Sequence, residues 1–283
     1  MAALGLSLLP LLAFGCAGDT IVRLCGKLPV AVRIVLPAIF GVPYALVAGA
    51  GATGRWLAFY FTLPVLLALL LWHAQQADPQ QRGTWRDFAI LLILGLAVDL
   101  RWLDPAWPAH CRVIGKLLLL DSGLYGFLVI RQLTGVGFDL RISRSDILTG
   151  LRELIFYAPI VLPLGLALGF LHPHDGHPRP ETAALTALAT FFLIAIPEEI
   201  FFRGWMQNLL ERRIGRMGSL LVTAAIFGLA HFNKRASHFN WHYVLLAAIA
   251  GIFYGRAWRE KQRVAASAIT HSAVDTIWSL WLG

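Results

Sequence analysis

Two adjacent glutamates, Glu198 and Glu199, interrupt the apolar run FFLIAIPEEIFFRG from Phe191 to Gly204. An ionisable residue inside an apolar span is costly and is a functional suspect by default. On a helix Glu199 and Arg203 are four apart and share a face, so they can neutralise each other as an ion pair. Glu198 lies about 100° round the helix from Glu199 and is left without that partner. A carboxylate held in an apolar pocket makes a good general base near neutral pH. The plainer alternative is that the run marks the membrane interface, where Glu198 is simply solvated. Further along, Phe227-Gly228-Leu229-Ala230-His231 closes another apolar segment, and His271 and Asp275 stand four apart in the last one. Taken singly, each histidine reads as a packed or interfacial side chain.

The spacing draws these groups together. Glu198 lies 17 residues before Gly215 and His231 lies 16 after it. If both flanks are helices rising ~1.5 Å per residue, the two side chains sit about 25 Å from the turn at nearly equal height. Antiparallel helices joined by a short connection are neighbours, so Glu198 and His231 can face each other. Arg212, Arg213 and Arg216 suggest that the turn projects out of the lipid. A last helix starting near Val264 carries His271 and Asp275 roughly 10 to 17 Å along its length. Three helices then converge on one bundle interior.

The elements that must hold these residues are set by composition. Hydrophobic residues make up 58% of the 283-residue chain and charged residues 14%, against about 25% charged in soluble domains. Such a chain cannot cover itself in water, and a spanning helix needs about 20 mostly apolar residues. Apolar segments fall at approximately 2–17, 29–50, 56–74, 87–103, 113–130, 153–171, 182–206, 217–232, 241–257 and 264–282. The pattern predicts an all-α, polytopic transmembrane bundle of about 8–10 helices. The more polar stretch from Leu140 to Leu151 divides it into an N-terminal region, 1–150, of unassigned role and a C-terminal region, 151–283, with the chemistry. Cys16, Cys25 and Cys111 form no metal-like spacing. The first segment lacks a basic start and reads as an uncleaved helix.

The net charge of +8 comes from basic residues between the apolar runs, the ordinary pattern of cytoplasmic loops, so a nucleic-acid partner is not expected. Segments 18–28, 75–86, 131–152, 207–216 and 256–263 together hold 15 of the 24 Lys and Arg, and the alternate loops hold five. The asymmetry predicts a multi-pass protein of the cell (inner) membrane, with the first group cytoplasmic and both termini outside.

These residues resemble the motifs of the CAAX protease and bacteriocin-processing enzyme family, also called the ABI family, which includes the type II CAAX prenyl endopeptidases. Glu198 to Arg203 fits E-E-x-x-x-R, Phe227 to His231 fits F-x-x-x-H, and His271 to Asp275 fits H-x-x-x-N/D. The resemblance covers about 150–283. It implies an intramembrane glutamate-dependent endopeptidase acting on a membrane-associated or hydrophobic substrate, with no metal and no cofactor. Glu198 and His231 would hold and activate a water. His271 and Asp275 would steady the oxyanion, and Glu199 and Arg203 would be the structural pair. Many family members carry Asn at the position of Asp275. An ionised aspartate would repel an oxyanion, so Asp275 must be protonated or must orient His271.

Two rivals stand beside this reading. A metalloprotease is one, although no H-E-x-x-H helix is present. The loop His172-Pro173-His174-Asp175-Gly176-His177 could hold a metal but reads better as a solvated turn. A catalytically silent membrane scaffold or a transporter is the other, since either could bury Glu and His as a proton relay. The paired broken helices of many transporters have no counterpart in internal symmetry here. The partners expected are membrane lipid and a peptide or protein substrate.

Overall fold

In the computed structural model, residues 2–48, 53–174, 176, 178–234 and 238–283 are described, and they are helices and connecting turns with no strand among them. The α-helices are α1 (Ala2–Gly26), α2 (Val30–Val35), α3 (Val42–Ala48), α4 (Gly54–Ala77), α5 (Trp85–Asp99), α6 (Arg112–Leu124), α7 (Arg144–Ala167), α8 (Pro180–Thr190), α9 (Ile196–Glu199), α10 (Asn208–Leu229), α11 (Trp241–Lys261) and α12 (Val264–Ile277). The all-α expectation therefore holds. By length and composition, six helical stretches among the described residues can cross a membrane: Ala2–Gly26, Val30–Ala48, Gly54–Ala77, Ala109–Ile130, Arg144–Ala167 and Pro180–Leu229. The last is 50 residues long and is broken at Gly215 (φ 74°, ψ 176°), which turns α10 into two arms. Large apolar side chains point outward along these helices, among them Leu66, Ile155, Leu185 and Leu188. A lipid solvent accepts that surface and water does not.

The chain divides into two compact units, Met1–Thr134 with Asp139–Arg141 and Gly135–Phe138 with Ile142–Gly283. In the N-terminal unit, Tyr44, Tyr60 and Trp107 cluster edge-to-face and stacked, and the Trp107 Nε1–H donates to Tyr60 Oη at 2.6 Å. A buried cation lies at the end of α4. Arg131 is fully buried and reaches Asp87 at 2.8 Å and Asp78 at 2.7 Å. Asp87 also closes a capping box with Thr84 at the start of α5. One carboxylate thus starts a helix and neutralises a buried guanidinium. Asp121 on α6 is buried too, and neither of its oxygens has a hydrogen-bond partner among the described residues.

In the C-terminal unit, α10 packs closely on α11. A Cβ at Gly228 would lie 2.5 Å from the Val244 carbonyl, so only glycine allows this approach. The start of α7 is fixed by a capping box between Ser143 and Asp146. Asp146 also receives two bonds from Arg263, at 3.1 and 2.9 Å, at the head of α12. The segment Gly135–Phe138 ties the same corner. The Val264 N–H donates to Gly137 O at 2.9 Å, and Trp258 Nε1–H donates to Val136 O at 3.2 Å. Gly137 has φ of 72°, and a Cβ there would fall 1.8 Å from Gln262 O. No side chain fits, on both counts.

Candidate active site

The motif helix is not a regular α-helix. π-helical turns run from Phe191 to Ala195 and from Ile200 to Gln207, on either side of the single α-turn that carries Glu198 and Glu199. Wide turns of this kind recur at functional sites because they re-aim the side chains beside them. Here they present the two glutamates differently. The Glu199 side chain is fully buried, whereas that of Glu198 is about a quarter exposed.

Glu199 Oε2 lies 3.1 Å from Arg203 Nε, with both side chains excluded from solvent. Arg203 also donates to Gly251 O at 3.1 Å, and its guanidinium sits over the rings of Phe227, Tyr254 and Phe202. A buried charge needs such compensation. The same glutamate does more than the sequence indicated. Its Oε1 lies 2.8 Å from His271 Nδ1, and Ser267 donates its hydroxyl to Oε2. Ser267 is one turn before His271 on α12, so one helix face supplies both contacts.

His271 is held on three sides. Tyr254 stacks on its ring, with centroids 4.6 Å apart and planes at 15°. Glu199 takes Nδ1. Its Nε2 lies 3.5 Å from Asp275 Oδ2 and 3.9 Å from Glu198 Oε2. That Glu198 oxygen is buried and has no hydrogen-bond partner among the described residues. His231 lies in the turn just past α10, not within the helix. Its Nδ1 is 2.8 Å from Phe227 O. A carbonyl only accepts, so Nδ1 carries the proton and, in the neutral ring, Nε2 is the basic nitrogen.

His231, His271 and Asp275 line one cavity of about 320 Å³, whose other walls are mostly apolar, including Tyr157, Val161 and Trp278. Glu198 stands beside this cavity through its approach to His271. Among the described residues no hydrogen bond or ion pair joins Glu198 to His231, and Phe227 packs against both His231 and His271. Sequence reasoning missed Ser267, Tyr254 and the second role of Glu199. The serine four residues before His271 was the available signal, since that spacing places it on the histidine's own face. In the loop considered for a metal, Asp175 and His177 lie outside the described residues. His172 and His174 donate their backbone N–H groups to Leu282 O and Trp281 O.

No curated protein and no solved structure matches the chain. Residues 180–277 match a family model described as type II CAAX prenyl endopeptidase Rce1-like, a stretch that contains all seven motif residues. By its motifs and by that match, the C-terminal part of this chain resembles the CAAX protease family.

Proposed function

We propose that the protein is an intramembrane endopeptidase of glutamate-dependent type, which cleaves a peptide bond in a membrane-associated or hydrophobic substrate. The observation that carries this reading is the Glu198 oxygen, buried and unpartnered, 3.9 Å from His271 Nε2 beside a cavity that His231 and Asp275 also line. The family match at 180–277 supports the protease class.

On this reading Glu198 takes a proton from water, and the resulting hydroxide adds to the scissile carbonyl. His231, with Nε2 as its free nitrogen, holds that water as an acceptor. His271 donates to the oxyanion. The intermediate collapses as the C–N bond breaks, and Glu198 returns its proton to the leaving amine. The products are a carboxylic acid and an amine, which exchange a proton to become carboxylate and ammonium, so protons and charge balance without a further reactant. Asp275 acts through His271 by orienting its ring, and Glu199 holds the opposite nitrogen. Glu199 and Arg203 are the structural pair. The proposed mechanism uses no metal, and the proposed location is the cell (inner) membrane.

Turnover of a cleavable membrane-associated peptide by the purified protein tests the proposal. A carboxamide cannot accept a proton, so Glu198→Gln should lower turnover by about 10² to 10⁴. Loss of the donor in His271→Ala should cost about 10² to 10³. Chelators should leave wild-type activity intact. Full activity in Glu198→Gln would end the glutamate reading, and loss to a chelator with recovery on added zinc would favour a metalloprotease.

A further inference from the structure

A second cavity in the C-terminal unit shares no lining residue with the cavity of the motif residues. It occupies about 420 Å³ where α7 begins, α10 turns at Gly215 and α11 ends. Four arginines line it: Arg152, Arg216, Arg256 and Arg259. They come from separate stretches of chain, so the fold gathers them.

The carboxylates present do not neutralise this group. Glu153 and Glu260 are the acidic residues in the lining. Glu153 is almost wholly buried and is gripped by Arg152 at 2.8 Å and Arg256 at 2.9 Å. Glu260 pairs with the same Arg152. Arg216 is mostly exposed and reaches only Glu211, at 3.6 Å. Among the described residues Arg259 has no carboxylate partner within ion-pair distance. Its Nη1 donates to the Arg216 carbonyl at 2.8 Å, and the like charges of Arg216 and Arg256 act on it against the carboxylates of Glu211 and Glu153. Four lining cations thus meet two lining anions, and with Glu211 beside Arg216 counted a surplus of one positive charge is left. Guanidinium groups converging with surplus charge make a receptor for phosphate oxygens, which they can bind bidentately.

The remaining wall says what carries the phosphate. Met217 and Leu221 line the cavity on the second arm of α10, and both are more than half exposed. The outward apolar ridge continues down that arm through Val222, Ile226 and Leu229. A free phosphate ion has no use for such a ridge, whereas an acyl chain would cover it. Both α7 and the Pro180–Leu229 stretch are apolar and long enough to cross a membrane, and basic pockets between such helices suit anionic headgroups.

We propose that this cavity binds the phosphate headgroup of an anionic phospholipid, with the acyl chain lying along Met217 and Leu221. The inference does not depend on the protease reading. It is tested by native mass spectrometry of the full-length protein in neutral detergent. Phosphatidylglycerol is compared with phosphatidylcholine of the same chains, with inorganic phosphate as a third arm. The wild type should retain phosphatidylglycerol about tenfold better than phosphatidylcholine. The preference should fall towards unity in the double variant Arg216→Gln, Arg259→Gln. Inorganic phosphate at equal concentration should not displace the lipid. The wild type alone supplies a second measurement should that variant fold poorly: raising salt from about 0.1 M to about 1 M should erase the preference. Equal retention of the two lipids, a preference unmoved by the double variant, or one unmoved by salt would overturn the site. Displacement by inorganic phosphate would replace it with a free-anion site.

Discussion

Glu199 joins Arg203 to His271: its Oε2 lies 3.1 Å from the guanidinium Nε and its Oε1 lies 2.8 Å from the imidazole Nδ1. One fully buried carboxylate therefore supports both a structural cation and a candidate catalytic ring. The neighbouring Glu198 has a free oxygen and a partly exposed side chain. The two residues should separate under mutation. Glu199→Ala leaves Arg203 buried and uncompensated, which costs roughly 3 to 5 kcal/mol. Accumulation and detergent melting of Glu199→Ala should fall well below those of Glu198→Ala. Equal, wild-type-like behaviour of the two variants would contradict the assignment.

Arg203→Lys should fail to rescue that site. An ammonium cannot face Glu199 and Gly251 O while also lying flat against Phe227 and Tyr254, as the guanidinium does. The expected result is lower accumulation than wild type, read by size-exclusion chromatography. A monodisperse, wild-type-like Arg203→Lys would show that only the charge matters.

Asp275→Asn should keep most of the turnover, since an amide can still accept from His271 Nε2 across the present 3.5 Å. Asp275→Ala removes that contact and should cost about tenfold or more. The comparison is of kcat for the two variants on one substrate. If Asn proves as damaging as Ala, the negative charge itself is needed.

The legible part of this site lay in residue types at fixed spacing. Glu199 and Arg203 are four apart, and the pair is present. The apolar segments became helices because a lipid solvent leaves the backbone little other choice. Equal heights of Glu198 and His231 from Gly215 require a uniform α-helical rise. Ile200–Gln207 is π-helical, and His231 lies beyond the helix end, yet His231 still shares a cavity with His271. What could not be read were contacts made by packing, such as Tyr254 stacked on His271 and Arg131 buried between Asp78 and Asp87. Those pairs are far apart in sequence, and no local period marks them.

The Arg131 cluster predicts a pH dependence of stability. Burial pushes the Asp78 carboxyl up, but hydrogen bonds from the Arg82 and Gly83 backbone and from Arg131, with its charge, outweigh this. Together they hold it below the usual carboxylate range. A group lowered on folding contributes stability that is fully present above its unfolded value, about 3.9, and is lost as pH falls through the folded one. Melting of the wild type should therefore drop more steeply between about pH 5 and pH 3 than that of Asp78→Asn. Parallel curves would remove Asp78 as a contributor.

Arg152, Arg216, Arg256 and Arg259 meet at one end of the C-terminal unit. A reporter inserted at 207–216 or 256–263 should read cytoplasmic, and one at 172–181 external, by the positive-inside rule. Opposite signals would reverse the orientation while leaving the proposed activity in place.

The corner built around Gly137 bears on how this protein can be cut into pieces. The first residues of α12, the helix carrying His271, are anchored by Gly137 O, and Trp258 at the end of α11 by Val136 O. Arg263 is anchored by Asp146. A truncation that starts at residue 151 discards every one of these anchors, and His271 would then ride on a helix with a loose first turn. An expression fragment meant to preserve the candidate site should start before Gly135, even though the motif residues themselves all lie beyond Ile196.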